Sequence, residues 1–493
     1  MKGDITRDTY QRGKGYSSVR LQQGRVQVDS DWNEQMDIER HRTETETIDV
    51  FGPSGGPAAG AGFGIGIDSG KLTISIGHYY VHGILIENRT EDGKPVSFAA
   101  QPFSPPDSEP AAGANLVYAK VWERHIGAVE DPYIREKALE GPDTATRAQT
   151  IWQIQMVPCT VNDQFDPECA PGLPEYKALL VEPTGTLTAS APTPKQVPAN
   201  PCLIPPGAGY TGLENQLYRV EIHEVDNTGK PLTFKWSRDN GSVLTGINGI
   251  DAPNRTLDVD NPGRDDVRGF RQNDWVEITD DDLDLKGLSG QIVQIETIDH
   301  VHRQIKLKQA PTLVYKKENH PKVRRWDGDT GTAKVTTGAD TLLESNIHVV
   351  FAGGSYQVGD YWLIPARTAE GQIEWPTKAD GVTPAAMKRH GIRYRFAPLA
   401  IADFDGQNFT NVRYDLRRLA VPANDLHVLE YLGGDGQECK PGDRFAVPLR
   451  VRVTNGRDGI AGTWVIFETK DGGVFLDMAL ANKGSHYEVR TDS

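Results

Sequence analysis

The stretch KWSRDNGS, residues 235–242, brings a lysine, a serine, an arginine and an aspartate together beside a glycine. Such side chains could form a nucleophile with its helpers or a pocket for a charged ligand. They also suit the end of one strand, a tight turn and the start of the next strand. Asn240 and Gly241 favour this second interpretation, because both central residues of a type I′ turn adopt positive φ. We predict a corner of a β-meander, with Trp236, Asn240 and Gly241 framing a central hairpin.

Strand alternation sets the side-chain directions before that corner. Side chains two positions apart lie on the same face of a strand. Trp236 should therefore share one face with Phe234, and Lys235 should share the other with Ser237. Arg238 falls at the turn itself.

Three other short patterns could carry chemistry, and each has a simpler structural interpretation. GPSGG at 52–56 matches the GxSxG nucleophile pattern, but it follows a predicted helix, whereas that chemistry needs a strand, a sharp turn and then a helix. WDGDTG at 326–331 resembles half of a calcium loop, with Asp327 and Asp329 two apart, although glycine-flanked aspartates are ordinary in turns. TDDDLD at 279–284 could bind a cation, and we interpret it as a solvated connector.

The histidines do not form a metal-ligand set in the sequence. His78, Tyr80 and His82 would share one strand face, but neither they nor His300 and His302 suggest a third ligand. We interpret the first group as a polar sheet face or a subunit contact. The chain also has no P-loop, no GxGxxG after a strand and no HExxH motif, and no carboxylate pair stands out for glycoside cleavage. We therefore assign no catalytic, cofactor-binding or metal-binding residue, and we expect no enzyme and no cofactor.

The charge argues against two classes of partner. The 493 residues carry a formal net charge of −15. A nucleic-acid binder needs a basic face, which only a local patch such as Lys322, Arg324 and Arg325 could supply. No run approaches the roughly 20 apolar residues of a membrane-spanning helix, and the polar N-terminal segment is not a secretory signal. We expect neither nucleic-acid binding nor membrane insertion, and we expect synthesis in the cytoplasm.

The cysteines do not suggest a zinc site. Cys159, Cys169, Cys202 and Cys439 lie far apart, without a CxxC pair. One disulfide bridge among the first three could form, but free thiols are expected in a reducing compartment.

One helix stands out near the N-terminus. Residues 31–51 begin with Asp31, a potential cap with a glutamate three positions on, and they end before a glycine-proline pair. Trp32 and Met36 are the predicted apolar anchors of this short amphipathic helix. A second, shorter helix is predicted over residues 130–141, with Asp131 as its cap.

Most of the remaining chain predicts short strands, in keeping with its 51 glycines and 32 prolines. Residues 71–88 predict two strands, because the alternation breaks at Gly77 and then resumes. Tyr361 and Trp362 should anchor a later strand.

These elements predict a mainly β, multidomain chain with a β-sandwich or barrel-like core and a short N-terminal helix. We divide it into residues 1–105, a helix plus β region, and 106–420, a β-rich core with a Pro-rich excursion at 158–213. Residues 424–493 alternate in the manner of an immunoglobulin-like sandwich. Such a sandwich needs about 100 residues, so we expect either continuation beyond Ser493, which we favour, or a strand supplied by a partner.

Several segments resemble one uncharacterised bacterial domain family, and they run in order over most of residues 1–420. They are MKGDITRDTY, YSSVRLQQGRVQVDSDWNEQ, GHYYVHGILIEN, VWERHIGAVEDPYIREKALEGPDTATR, ENQLYRVEIHEV, TFKWSRDNGSV, GRDDVRGFRQNDWVEITDD and GDYWLIPARTAEGQIEWP. The segment RFAVPLRVRVTNGRDGIAGTWVIFETKDGG, 444–473, resembles a bacterial immunoglobulin-like domain. The family's genes resemble companions of phage-tail-like contractile injection systems, alongside baseplate and spike components.

The resemblance implies a structural part of such a particle, at its baseplate, its spike periphery or its outer decoration. Residues 1–420 would dock on baseplate, spike or sheath proteins, and the C-terminal module would project. A homo-oligomer is expected, assembled in the cytoplasm without a signal peptide and extracellular once the particle is released. The alternatives are a particle-carried effector, which predicts a concave pocket with converging carboxylates, and an adhesin for a target-surface glycan or receptor.

Overall fold

The computed structural model describes most of the chain. The described residues are 2–103, 110–162, 165–192, 209–263, 269–420, 427–438, 440, 443, 445–454, 459–468, 475–476, 483–484 and 486–491. Contacts group the chain into two compact units, the first of residues 1–54 and 62–417 and the second of residues 55–61 and 418–493.

The described chain is 40% strand and 13% helix, which confirms the predicted mainly β, multidomain class. The α-helices are α1 (Asp29–Phe51), α2 (Pro174–Leu179) and α3 (Asp281–Lys286). None of the helices in the described ranges is long and apolar enough to cross a membrane.

The strands are short, with few exceptions. Before residue 200 they are β1 (Ser54–Pro57), β2 (Ile65–Asp68), β3 (Lys71–Ile74), β4 (Gly77–Val81), β5 (Ile84–Asn88), β6 (Val96–Ser97), β7 (Gly113–Ile126), β8 (Arg147–Pro158) and β9 (Thr186–Ser190). The next are β10 (Gln216–Val225), β11 (Pro231–Ser237), β12 (Leu244–Asp251), β13 (Thr256–Val259), β14 (Trp275–Thr279), β15 (Gln291–Asp299), β16 (Gln304–Leu307), β17 (Lys322–Trp326), β18 (Ala333–Lys334), β19 (Asp340–Leu342) and β20 (His348–Phe351). They are followed by β21 (Tyr361–Arg367), β22 (Gln372–Ile373), β23 (Met387–Lys388), β24 (Arg395–Phe404), β25 (Phe409–Asp415), β26 (Leu419–Ala420), β27 (Val428–Gly433), β28 (Arg450–Thr454), β29 (Trp464–Glu468), β30 (Phe475–Leu476), β31 (Lys483–Gly484) and β32 (His486–Arg490).

Two neighbouring layers of the first unit position the candidate site. One is a closed barrel in the order β12-β13-β16-β15-β14-β17, and the other is a five-stranded sheet in the order β18-β11-β10-β21-β22. The barrel interior is aliphatic, with Val276, Val293 and Val323 fully buried. The sheet buries Phe234 and Trp236 in a separate aromatic core. The two layers meet through an antiparallel bridge between Trp236 and Asp327.

The other sheets of the first unit support this pair. Their orders are β25-β24-β7-β8, β19-β20-β9-β23 and β2-β3-β6, and β4 pairs with β5 as a hairpin. The sheet around β7 buries Trp152 and Ile154 against the aromatic ring of Tyr79 and its neighbours. Trp362 lies in the aromatic core and Tyr361 beside it on β21, so both anchor the strand that the sequence predicted for them.

Helix α1 forms where the sequence places it, but its buried side differs from the prediction. It begins at Asp29 with Val28 as cap, and Asp31 lies one turn inside and accepts a bond from the Val28 backbone nitrogen. Trp32 and Met36 are not anchors, since they are 62% and 50% exposed. Ile38 is buried instead, because the body of the unit covers the other side of the helix.

Residues 71–88 form three strands and not the two predicted. The missed break is the turn at His82 and Gly83, where both residues adopt positive φ, 48° and 82°. A side chain at position 83 would meet the backbone oxygen of Glu44 at 2.5 Å. Glycine is therefore required both by the backbone conformation and by the close approach of α1.

Two further predictions need correction. The segment 130–141 forms two short 3₁₀ turns, Pro132–Ile134 and Lys137–Leu139, and not an α-helix. Asp131 does cap the first turn, by accepting a bond from the Tyr133 nitrogen. The Pro-rich region 158–213 is not only an excursion, because its strand β9 pairs with β20 and β23.

Within its described residues, the second unit contains four strand pairs. Strands β1 and β26 pair in parallel, while β27 with β28, β29 with β32 and β30 with β31 pair antiparallel. The immunoglobulin-like assignment of 424–493 and the division at residue 105 stay predictions.

Candidate functional site

Buried charges concentrate where the five-stranded sheet faces the outer wall of the barrel. Three cations and two carboxylates meet there, and we call them the central polar cluster. Its members are Lys2, Arg219, Glu221, Lys235 and Glu277.

Strand register builds this cluster. Glu221 on β10 lies directly opposite Lys235 on β11. The Lys235 Nζ lies 3.4 Å from a Glu221 oxygen and 2.6 Å from Glu277 Oε1, on the neighbouring barrel strand β14. Arg219, two positions before Glu221 and thus on the same face, places its Nε 2.6 Å from Glu221 Oε2. Lys2 adds a third cation, with its Nζ 2.9 Å from Glu221 Oε1.

Aromatic rings close the cluster. The Trp326 indole nitrogen donates to Glu277 Oε2 at 2.9 Å, and Lys235 Nζ lies 4.6 Å from the centre of the Trp326 ring. The Arg219 guanidinium carbon lies 3.5 Å above the Tyr361 ring. Such contacts stabilise cations that have left water.

Burial and pairing together fix the charge states. The side chains of Arg219, Glu221, Lys235 and Glu277 are 2% to 5% exposed. Burial alone would raise the pKa of Glu277, but the ammonium groups of Lys235 and Lys2 outweigh it and lower that pKa to about 2. The same balance holds the pKa of Glu221 well below its ordinary value. These carboxylates are ionised at neutral pH and are covered from solvent, so they stabilise the packing of the sheet against the barrel.

A second cluster of buried charge surrounds Lys322, and it corrects the interpretations of TDDDLD and of the basic patch. Lys322 is buried, and its Nζ lies 2.7 Å from Glu130, 3.3 Å from Asp281 and 2.7 Å from Asp284. Burial would lower the pKa of Lys322, but these three carboxylates raise it instead. TDDDLD is therefore not a solvated connector: it forms the start of α3, with Asp280 as cap.

The suggested basic patch does not exist on the surface. Lys322, Arg324 and Arg325 are 4%, 7% and 6% exposed, because β17 lies inside the packed layers. Arg324 donates to the Gly241 carbonyl, and Arg325 pairs with Asp239 at 2.8 Å.

The stretch 235–242 sends its charged side chains to different partners. Lys235 joins the central polar cluster, Arg238 pairs with Asp327 and Glu344, and Asp239 pairs with Arg325. The Ser237 hydroxyl donates to Asp239 at 2.5 Å and accepts a bond from the Gly241 nitrogen at 3.0 Å. The hydroxyl is thus used within the turn, which supports the structural interpretation of this stretch.

The turn itself differs from the predicted hairpin. Asn240 and Gly241 adopt φ of 53° and 62°, as a type I′ turn requires. However, the strands on either side do not pair with each other: β11 pairs with β10, whereas β12 pairs with β13 and β17. The turn links the sheet to the barrel. The Asn240 side-chain Nδ2 donates a hydrogen bond to the Gly3 carbonyl at 2.9 Å.

A groove lies beside this link and is the candidate binding site. Its volume is about 710 Å³, within the usual range for small ligands. The side chains that matter for a ligand are Trp236, Arg238, Trp275, Asp327, Asp329 and Glu344. Trp275 is half-buried, and its indole nitrogen donates to the Asp329 carbonyl at 3.1 Å.

The carboxylates of this groove are largely committed to internal contacts. Asp327 accepts a bond from the Arg238 backbone nitrogen at 2.9 Å and lies 3.4 Å from its side-chain Nε. Burial raises the pKa of Asp327 although Arg238 opposes this. Glu344 accepts bonds from Tyr218 and from Arg238. Asp329 on the exposed loop is the carboxylate left for a ligand, so the groove could bind a polar molecule but offers no spare acid-base pair.

The remaining sequence motifs lie apart from both sites. Ser54 of GPSGG follows the helix and starts strand β1, without the strand-turn-helix context of a nucleophile. His78 and Tyr80 lie two apart on β4 as predicted, and Tyr80 stacks on Phe51 of α1 at 5.0 Å, but His82 lies in the turn after the strand and not on that face. His302 pairs with Asp299 in an exposed turn.

The metal and thiol interpretations can be placed in the same way. In the described part of the chain, no group of three or more His, Cys, Asp or Glu side chains is arranged to hold a metal ion. The aspartates of the half calcium loop at 326–331 therefore do not belong to such a group. Cys159 and Cys169 are free thiols, and burial raises the pKa of Cys159 to about 11. Cys202 and Cys439 lie outside the described residues.

Sequence reasoning missed the central polar cluster. Arg219, Glu221 and His223 alternate with apolar residues on β10, and such a pattern ordinarily marks a solvent-facing side. The signal that could have revealed it is Lys235, which lies on the next strand across a short turn and has the charge opposite to that of Glu221. Glu277, from a separate layer, could not be joined to them from spacing.

Comparison with known proteins gives one match. A family model matches residues 1–168 and 183–418, most of the chain, and that family is described as one of unknown function. No curated protein and no solved structure matches the chain.

Proposed function

The chain belongs to that family, DUF6519, and we propose that it serves as a structural, non-catalytic component of a phage-tail-like contractile injection particle. In this proposal residues 1–420 dock on baseplate, spike or sheath proteins. The module at 424–493 projects from that base. The protein assembles in the cytoplasm and is released with the particle.

One observation carries the proposal: the buried carboxylates of the central polar cluster are both engaged by cations of the same unit. Glu221, Lys235 and Glu277 are paired across two layers and are covered from solvent. A catalytic site instead keeps groups with shifted pKa at an accessible cleft. Broken buried pairs are strongly destabilising, so such a cluster favours one fixed arrangement of sheet and barrel. That is what a load-transmitting particle part requires.

The experiment is deletion of the gene in a strain that assembles the particles, followed by electron microscopy of purified particles. We expect particles that lack part of the baseplate, spike periphery or outer decoration and regain it when the gene is restored. Intact, fully decorated and fully active particles from the deletion strain would refute the proposal.

A labelled chain would locate the subunit, and the structure indicates where the label can go. Lys2 is engaged in the central polar cluster, so an N-terminal label would disturb the fold. The turn around Val382 is a better site, because that side chain is 81% exposed. Density for the label on the particle would support the role, and recovery of the chain only in the particle-free fraction would count against it.

The groove favours a second candidate, an adhesin that binds a glycan. A half-buried indole beside polar side chains is the usual setting for a sugar ring, and Trp275 with Asp329 supplies it. Glycan-array binding by the full chain, lost in Trp275→Ala and in Asp329→Asn but kept in Trp32→Ala, would support this function. Trp32 is the matched control because it is exposed and lies outside the groove. If the full chain binds no glycan on the array, the adhesin function is excluded and the groove is only a gap between packed elements.

A further inference from the structure

The N-terminal segment exposes apolar side chains that nothing in the described chain covers. Residues 10–51 comprise an extended arm and helix α1, and we call them the N-terminal lobe. Its large exposed side chains are Tyr16, Leu21, Val26, Val28, Trp32, Met36 and Val50. Val26 is 87% exposed and Trp32 is 62% exposed.

Two of these side chains form one face of the helix. Trp32 and Met36 are four residues apart in α1, which places them above one another on a single helix side, and Val28, the cap residue, comes just before the first turn. The opposite side is the one that packs, through Ile38. Contiguous exposed apolar surface on a folded protein marks an interaction site more often than it occurs by chance.

The lobe also separates its charges. The arm, residues 10–28, contains four cations, Arg12, Lys14, Arg20 and Arg25, and no acidic residue. Helix α1 contains eight acidic residues and only two arginines. Both arginines pair within the body, Arg40 with Asp37 and Glu123 and Arg42 with Glu46.

The arm cations have no carboxylate partner in the part of the chain that the structure describes, and Lys14 only approaches the Tyr16 ring at 5.8 Å. The Val19 nitrogen ties the arm to α1 by donating to Gln35 at 2.7 Å, and Thr9, just before the arm, donates to Glu34 at 2.6 Å. The lobe therefore has an apolar centre, cations on the arm and an excess of carboxylates on the helix.

We propose that the N-terminal lobe is a self-association surface through which two copies of this chain pair about a two-fold axis. In such a pair the apolar faces of the two α1 helices meet, and the arm cations of each copy face the α1 carboxylates of the other. A two-fold interface needs one patch that is complementary to itself, and the lobe carries both halves of that complementarity. A second copy is favoured over a nucleic acid or an anionic membrane, because either of these would supply partners for the arm cations but none for the eight carboxylates of α1, whereas a second copy supplies both. This pairing does not depend on the particle role proposed above.

The test measures the mass of the full chain in solution by light scattering and sedimentation, at chain concentrations of about 1–100 μM, the range of ordinary specific association. We expect the wild type to have twice the mass of the chain. The double variant Trp32→Ser with Met36→Ser should be a monomer, with its dissociation constant raised at least about tenfold, since buried aromatic side chains dominate interfaces. Because both residues are exposed, its circular dichroism spectrum and melting temperature should match the wild type.

Charge reversal gives a second, independent variant. Arg20→Glu with Arg25→Glu should weaken the pairing, and mixing this variant with Glu39→Lys should restore a mixed dimer, because Glu39 is exposed one turn beyond Met36. The controls are Leu213→Ser, 97% exposed, and Lys316→Glu with Lys317→Glu, which are exposed elsewhere and should leave the mass unchanged.

Several results would overturn the proposal. A wild type that is monomeric at the highest concentration, including one that binds only a different particle protein or an anionic vesicle, excludes the two-fold pair. A dimer that survives both the apolar and the charge-reversal variants places the interface elsewhere. Intact, fully decorated particles from the deletion strain, together with a dimeric chain in solution, would refute the particle role and leave the self-association standing.

Discussion

The central polar cluster and the N-terminal lobe use the same side-chain types in opposite ways. In the cluster, lysine, arginine and glutamate are buried and each meets a partner of opposite charge within the unit. In the lobe, the arm cations and the large apolar side chains lie at the surface, and within the described residues these cations have no carboxylate partner. The comparison separates two tasks: the cluster fixes the relation of sheet to barrel, and the lobe offers a surface to another molecule.

Substitutions in the two regions should therefore differ in how much they lower the free energy of unfolding. Removing one partner from a buried pair leaves a charge that water cannot reach, whereas an exposed side chain loses little when it is truncated. Four substitutions measure that contrast.

The largest effect is expected at Glu277. Glu277→Gln removes the charge that faces Lys235 at 2.6 Å, so the free energy of unfolding should fall by roughly 3–5 kcal/mol. Urea unfolding measures it. The control is Glu46→Gln, whose pair with Arg42 is 75% and 64% exposed, so its unfolding curve should overlay that of the wild type. Equal losses in the two variants would contradict the contrast.

The difference in stability between the wild type and Glu277→Gln should also depend on pH. The pKa of Glu277 is lowered to about 2, because Lys235 and Lys2 outweigh the effect of burial. The stability that its charge provides is therefore present above the unfolded pKa of 4.5 and is lost as the pH falls through about 2. The unfolding free energies of the wild type and Glu277→Gln should converge over that window and differ fully at pH 7.

The turn that joins the sheet to the barrel should show the next largest effect. Gly241→Val forces a β-branched residue into a φ of 62°, which should cost roughly 1–3 kcal/mol. Thermal unfolding checks it. Gly13→Val is the matched control in the lobe, since a side chain there would meet nothing within 4 Å and the backbone is not left-handed. An unchanged melting temperature for Gly241→Val would be at odds with the assigned turn.

Lys120 tests what happens to an interior cation with aromatic neighbours in place of carboxylates. Its Nζ lies 3.9 Å from the Tyr394 ring centre, and burial lowers its pKa to about 8. Lys120→Met should raise the unfolding free energy by roughly 1–2 kcal/mol at pH 7, because the lost cation–π contact offsets part of the relieved desolvation.

The pH dependence identifies the cause of that gain. Folded Lys120 loses its proton near pH 8 and the unfolded residue near 10.5, so wild-type stability rises between these values and the advantage of Lys120→Met shrinks. The exposed control Lys71→Met should show no such trend. A loss of stability that is independent of pH would show that the ammonium is favourable where it lies.

The smallest effect on stability is expected in the lobe. Trp32 is already 62% exposed, so Trp32→Ser removes little buried surface, and the unfolding free energy of the monomeric chain at high dilution should change by less than about 1 kcal/mol. A loss above about 2 kcal/mol would show that Trp32 is an internal anchor after all, which would remove the contrast between the two regions.

Much of the strand content could be predicted, because alternation is a local property of the sequence. The positions of β10, β11 and β21 follow from it, as does the placement of Trp236 and Phe234 on one face. The break at His82 was missed because a non-glycine residue at positive φ gives a weaker signal than Asn240.

The central polar cluster could not be predicted, for a physical reason. Alternating charges on β10 look the same whether water or a second layer covers them, and only the packing of the barrel shows that Glu221 is buried. The same ambiguity misled the interpretation of Trp32. An apolar stripe predicts that something covers a helix face, but not that the cover comes from the same chain.

Lys2 and Gly3 have a consequence for how the molecule reaches its native state. Gly3 is held by Asn240, 237 positions away, and Lys2 by Glu221. The ribosome releases these two residues long before it makes their partners, so the junction of sheet and barrel cannot close until the nascent chain has grown past the barrel strands. Contacts between residues so far apart in sequence slow folding. Until they form, the early strands of the incomplete chain should stay accessible to chaperones.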